Sequence, residues 1–291
     1  MPERKPVVAS QFYPGQRDAC LAEIDQCLRQ RPLSEPLPET IVAGIVPHAG
    51  WAFSGDLAAM VFAAVKQIHE KVDTFCILGA AHGYFQPMPA LYESGSWITP
   101  LGQALIDGEL AAAVLAEGAA VADANAHGPE HSIEVQLPFI KHLFPDAKIL
   151  PIIAGPNKRA IRLGERLGDI IARDRRKKIV CIGSTDLTHY GPRYGFTPAG
   201  MGPEALKWAT CVNDQQFIDM ALKLDPHSLL ANAVEKCNAC GAGAAAATIT
   251  AAKTLGKTEG VLLAHTNSND VMLEKMGTSA NDAVGYTAIV F

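Results

Sequence analysis

Five short apolar runs, largely β-branched, punctuate the chain at Ile41 to Pro47, Thr74 to Gly79, Ile149 to Ala154, Ile179 to Gly183 and Val261 to His265. They lack the polar alternation of a half-exposed strand, and so read as strands covered on both faces. Helical spacing of apolar positions separates most of them, over Leu57 to His69, Asp107 to Glu117, a segment within Ser132 to Phe144, and Ala160 to Arg173. This alternation predicts an α/β fold, a three-layer α/β/α sandwich around a largely parallel, mixed sheet. Pro203 to Leu255 reads as helical throughout. Ala283 to Phe291 reads as a closing strand, antiparallel at an edge. RPLSEPLPET at 31–40 is a Pro-rich connection after an N-terminal helix, and no repeat or linker divides the chain, so one domain over 1–291 is expected.

Composition supports a packed core: 48% of the 291 residues are hydrophobic and 19% charged, far from the profile of a disordered chain. The net charge of −5, without a long run of one sign, argues against nucleic acid or an anionic membrane as main partner. The basic stretch RDRRKK at 173–178 follows a helical pattern, where cations suit the helix dipole. The opening residues carry no apolar stretch, and the longest near-apolar run, Gly241 to Ala252, is too short to span a bilayer. A cytoplasmic protein is expected. Seven cysteines at irregular spacings do not make a disulfide framework. Cys76 and Cys181 fall in strand patterns and Cys20, Cys27 and Cys211 in helical ones, the usual setting of buried structural thiols.

Polar motifs interrupt the pattern just beyond the carboxyl ends of three strands: PHAGWAFSG at 47–55, GAAHGYF at 79–85 and GSTDLTHYG at 183–191. Ligands of open α/β sheets bind outside those strand ends, and the small residues allow close backbone approach. His48 and His82 suit Fe(II), Cu or Zn, whose sites a thiolate or carboxylate completes. A single histidine in such a loop is more often a capping or hydrogen-bonding residue than a ligand. It is the repetition on two strands that favours a metal, since no HExxH or paired CxxC spacing is present. In CNACGAGAAAA at 237–247, Cys240 starts a helix whose dipole favours a thiolate, whereas Cys237 reads as a packing residue. Asp186 and His189 are an acid/base pair or outer metal ligands, against the plainer reading of an Asp cap and a partnered histidine. Glu130, His131 and Glu134 are candidates for supporting the metal ligands from behind, although helix-entry electrostatics also explains the acidic pair. Trp51, Phe53 and Tyr84 are candidates for an apolar pocket wall, against ordinary core packing. His69, His142 and His227 read as structural or solvated.

Taken together, FYPG at 12–15, PHAGWAFSG, LGAAHG, EHSIEVQLPF, STDLTHYG and CGAGAAAA resemble, in order and spacing, the Memo (mediator of cell motility) family, in its prokaryotic AmmeMemoRadiSam system protein B type. The resemblance covers essentially the whole chain. It implies a fold similar to class III extradiol dioxygenases, metal ligation by His48, His82 and Cys240, and a pocket also lined by Asp186 and His189. It further implies a functional link to a radical-SAM protein and an AMMECR-type protein. One departure matters: the ring-cleaving dioxygenases use a glutamate where this chain offers Cys240, so ring cleavage does not simply carry over. CGAG also stands where relatives can have a Cys, Gly, Arg run, which removes any positive contact supplied there. The expected function is therefore a metal-dependent, non-haem iron, dioxygenase-like oxidoreductase acting on a small molecule or modified residue, with His189 as base and Asp186 orienting it. A non-catalytic metal- or peptide-binding adaptor and a zinc hydrolase are the competing readings.

Overall fold

The computed structural model describes residues 2–33 and 36–291, so Ser34 and Glu35 of the Pro-rich connection lie outside the described residues. Four strands form the centre of the sheet: β1 (Ala43–Val46), β2 (Thr74–Gly79), β3 (Lys148–Ile153) and β4 (Ile179–Ser184). They run parallel in the spatial order β1-β4-β2-β3. Alternate side chains enter different cores: Phe75, Ile77, Val180 and Ile182 pack on one face, and Cys76, Leu78, Leu150 and Cys181 on the other. Burial on both faces is why these strands read as unbroken apolar runs.

Helices α1 (Arg17–Gln30) and α2 (Trp51–Ile68) cover the first face, while α3 (Lys158–Arg173) and α4 (Ala242–Thr254) cover the second, which makes the three layers. Phe62 and Phe75 are fully buried and meet edge to face at 6.0 Å; removing each from water is worth about 1.5 to 3 kcal/mol. The small residues of α4 have a packing cause. A Cβ on Gly164 of α3 would run into the Ala247 carbonyl and Thr250, so the two helices meet almost backbone to backbone.

The remaining strands correct one expectation. β6 (Ala283–Val290) is antiparallel, but it is fully buried inside the sheet rather than at its edge. It pairs with β5 (Val261–Asn267), with β1 at Ile289 and Val290, and with the short strand His189–Tyr190 at Val284 and Ala283. β5 stands at an edge, paired among the described residues only with β6, and is half-buried from Val261 to Thr266 instead of covered on both faces. The helical stretch after Pro203 is also broken, at Leu224 (φ 48°) and Cys237 (φ 52°), both left-handed. Among the described residues, no helix is long and apolar enough to cross a membrane.

The N-terminal segment is latched to the segment before Leu137. Arg4 lies 4.0 Å over the Trp97 ring and pairs with Glu134 at 2.7 Å, both side chains being buried. The Glu134 carboxylate also accepts from the amides of Val7 and Val8 and from the Tyr13 hydroxyl. Glu134, expected near the metal, is thus occupied in holding residues 4–13. Neighbouring His127 is fully buried between Tyr92 and Trp97; its Nε2 bonds the Ala90 carbonyl and its Nδ1 has no partner among the described residues.

Burial holds His127 down to a pKa of about 4, whereas the unfolded chain takes its proton near 6.5. The sign follows: between those values the unfolded state binds the extra proton, so stability falls as pH drops from 6.5 towards 4. The expected loss is about 3 kcal/mol from this group. Urea unfolding of the protein and of His127→Gln at pH 7 and pH 4.5 measures it, and equal acid slopes in the two proteins would refute the assignment.

Candidate metal centre

β4 lies between β1 and β2, with Val46 opposite Ser184 and Gly183 opposite Leu78, so the three motif loops leave the carboxyl ends of adjacent central strands. His48, just after β1, is buried, and its Nδ1 stands 3.0 Å from Ser184 Oγ. That hydroxyl donates its own proton to the Ser132 carbonyl, so it accepts from His48, and the proton sits on Nδ1. Nε2 is left with a free lone pair. His82, exposed after β2, is held at Nδ1 by Glu130 Oε1 at 3.1 Å, which leaves its Nε2 free as well. The half-buried His131 ring stacks on His82 at 5.0 Å and meets His48 edge-on at 5.5 Å. One ring nitrogen from each of His48, His82 and His131 lies within 4.8 Å of the other two.

The charges suit a cation. Burial, reinforced by His82 and His131, keeps His48 well below the usual imidazole range, and burial also lowers His131. Both are neutral near pH 7, with lone pairs available. For His82 burial acts downward, but the hydrogen bond and charge of Glu130 outweigh it and raise the pKa. Burial opposes charge on Glu130 too; its bonds to His82 and to the Ser132 amide prevail and hold it well below the carboxylate range. A carboxylate on the far nitrogen fixes the orientation of a ligating histidine and increases its basicity.

Cys240 stands beside this group, its Sγ 3.2 Å from His48 Nε2 and its amide donating to the Asp186 carbonyl. Gly241 makes the approach feasible, because a Cβ there would strike the Ser184 carbonyl. Nitrogen and sulfur at about 2.1 and 2.3 Å from one ion stand about 3.1 Å apart at a right angle and about 3.6 Å at the tetrahedral angle. The observed separation therefore fits two donors on one ion, and the residues present fit a transition metal. Against the expected thiolate, burial pushes the Cys240 thiol up in metal-free protein, and the Asp186 carboxylate adds to the shift. In metal-free protein, timed alkylation should modify the exposed Cys211 and Cys237 before the half-buried Cys240, with the buried Cys20, Cys27, Cys76 and Cys181 last. Peptide mapping that finds Cys240 modified first would restore the thiolate.

The three histidines open into a cavity of about 550 Å³ that Asp186 and His189 also line. Asp186 is buried and accepts the His48 amide at 2.7 Å; His189 turns Nδ1 to the Leu187 carbonyl at 3.1 Å. That carbonyl, rather than the expected Asp186, is the group hydrogen-bonded to the His189 ring. The walls are aromatic, from Phe12, Phe53, Tyr194 and Tyr286. Of the three aromatic residues expected there, only Phe53 lines the cavity. Trp51 is in the core, donating to the Val135 carbonyl and packed 4.3 Å from Phe139, and Tyr84 packs against the core outside the cavity lining.

Residues 4–290 match the family model described as Memo-like protein. The chain belongs to the Memo family. A MEMO1 family protein of Thermococcus onnurineus is 37% identical, with 99% of each chain covered, and one of Methanopyrus kandleri is 35% identical over the same shares. A third, from Methanosarcina mazei, is 36% identical over 100% of this chain and 99% of its own. The Memo match thus takes in the N-terminal latch, all three histidines and β6.

Within this Memo chain the converging donors are His48, His82 and His131 rather than the expected His48, His82 and Cys240; Cys240 and Asp186 contact His48, Glu130 bonds His82, His189 lines the same cavity, and Glu134 stands apart. His131, expected in an outer role, offers one of the three converging imidazole donors. No strand-end rule marks it, because it follows no strand. The available signal was its place next to Glu130, the carboxylate that fixes His82.

Proposed function

We propose that this chain is a metal-dependent oxidoreductase of the cytoplasm, using Fe(II) and acting on a small oxygen-bearing molecule or modified residue. His48 and His82 hold the ion, with His131 and Cys240 as the neighbouring donors. The reading rests on one observation: three imidazoles, two of them kept neutral, converge at an aromatic-walled cavity. When bound, iron supplies redox chemistry toward O₂. The chain's own residues do the rest. Phe12, Phe53 and Tyr286 receive a ring and exclude water, and His189, with Nδ1 fixed on a carbonyl, takes a substrate hydroxyl proton at Nε2. Asp186 holds the His48 backbone in place.

The three-histidine set gives specific support to a second reading, since zinc hydrolases are built on such sets. Metal analysis of anaerobically purified protein, followed by O₂ uptake with candidate catechols, separates the two. Iron with substrate-dependent uptake supports the oxidoreductase; zinc with ester or amide cleavage supports the hydrolase; tight metal without turnover returns the chain to an adaptor role. His189→Ala should keep its metal and lose about 10²- to 10⁴-fold in turnover. Metal loss as severe as in His48→Ala would instead make His189 a ligand.

A further inference from the structure

Asp214 is a buried carboxylate outside the group of three histidines. It ends a π-turn, Ala209–Asp214, between the helices Pro203–Trp208 and Gln215–Leu222. Such insertions in helices occur often at functional sites because they redirect side chains. Here the last two residues of the turn both reach Thr188. Asn213 Nδ2 donates to Thr188 Oγ1 at 3.0 Å, and the Thr188 amide donates to Asp214 Oδ1 at 2.9 Å. The other Asp214 oxygen meets His265 Nε2 at 3.2 Å. β6 makes room for this carboxylate with Gly285, whose Cβ would collide with it. Gly285 in turn pairs with the same loop, accepting from the Leu187 amide and donating to the Thr188 carbonyl.

Thr188 stands between Asp186 and His189, so its grip fixes the loop that carries both. Asn213 also reaches the segment leading to Cys240: its Nδ2 donates to the Lys236 carbonyl at 3.1 Å, and its carbonyl accepts from Asn238 Nδ2 at 2.8 Å. The Cys240 amide closes the circuit on the Asp186 carbonyl, and the Asp186 carboxylate accepts the His48 amide. We infer that Asn213 and Asp214 are positioning residues, which set where the Asp186–His189 loop and Cys240 stand relative to His48. Their importance for chemistry rests on the function proposed above; their mechanical role does not.

Hydrogen exchange of the metal-free protein tests this, read at the amides of His48, Thr188 and Cys240, each a donor within the circuit. The amides of β2 serve as the internal reference. Asp214→Ala removes both acceptors and should quicken exchange at the three amides about tenfold over the reference, the scale of one lost hydrogen bond to a charged group. Asp214→Asn keeps a carbonyl oxygen for Thr188 and should restore most of the protection. Asn213→Ala should show a smaller change at the same amides, and it decides the matter if Asp214→Ala does not fold. A purely structural role would quicken β2 equally. That result, unchanged exchange, or an Asp214→Asn protein as unprotected as Asp214→Ala would each overturn the inference. Because backbone amides are read without metal, failure here is distinct from failure of the proposed function.

Discussion

Replacing His48 by alanine is expected to lower divalent-metal affinity by more than about 100-fold while the chain still folds. Removing a partner behind a ligand typically costs about 10- to 100-fold, and a direct donor more. His48 is the residue on which the neighbours converge: Ser184 fixes its tautomer, Asp186 takes its amide, Cys240 touches its Nε2, and His82 and His131 face its ring. Ser184→Ala leaves the ring in place with Nδ1 unpartnered, and its loss should stay within the lower range. Chelator competition with Co(II) measures both. A His48→Ala affinity within tenfold of the parent protein would remove His48 from the ligand set.

The second large effect concerns stability. Glu134→Ala should destabilise the fold by about 3 to 5 kcal/mol, because it leaves the buried Arg4 cation without its partner. The Val7 and Val8 amides and the Tyr13 hydroxyl lose their acceptor at the same time. The damage should also reach the cavity, since Phe12 lies on the latched segment and meets the His131 ring edge-on at 4.9 Å. The double variant Arg4→Met with Glu134→Leu should recover much of the loss, having no stranded charge. Urea midpoints decide, and a single-variant loss under about 1 kcal/mol would show that the latch does not hold the segment.

The contrast between Glu130 and Glu134 shows what could be read from the sequence and what could not. Both carboxylates stand in EHSIE, and no periodicity in that stretch separates them. Their partners do: Glu130 faces His82, and Glu134 faces an arginine 130 residues earlier. The strand centres and the loops beyond them were legible because two-sided burial leaves an apolar run with an abrupt polar end. The edge position of β5 was not, since Val261, Leu262 and Leu263 are as apolar as a central strand. Cys240 lies beside His48, but its protonation depends on desolvation and on Asp186, which no local helix rule includes.

The spatial order β1-β4-β2 has a consequence for how the chain reaches its working state. The loop of β2 cannot take its place beside that of β1 until β4, more than a hundred residues later, has inserted between them. Closing loops of that length is slow, because chain entropy is lost before any contact compensates for it. A nascent chain would therefore acquire its secondary structure and much of its core before it could capture an ion. An ion bound at the three histidines would thus arrive late in biogenesis, and its uptake would report that the most distant parts of the polypeptide have met.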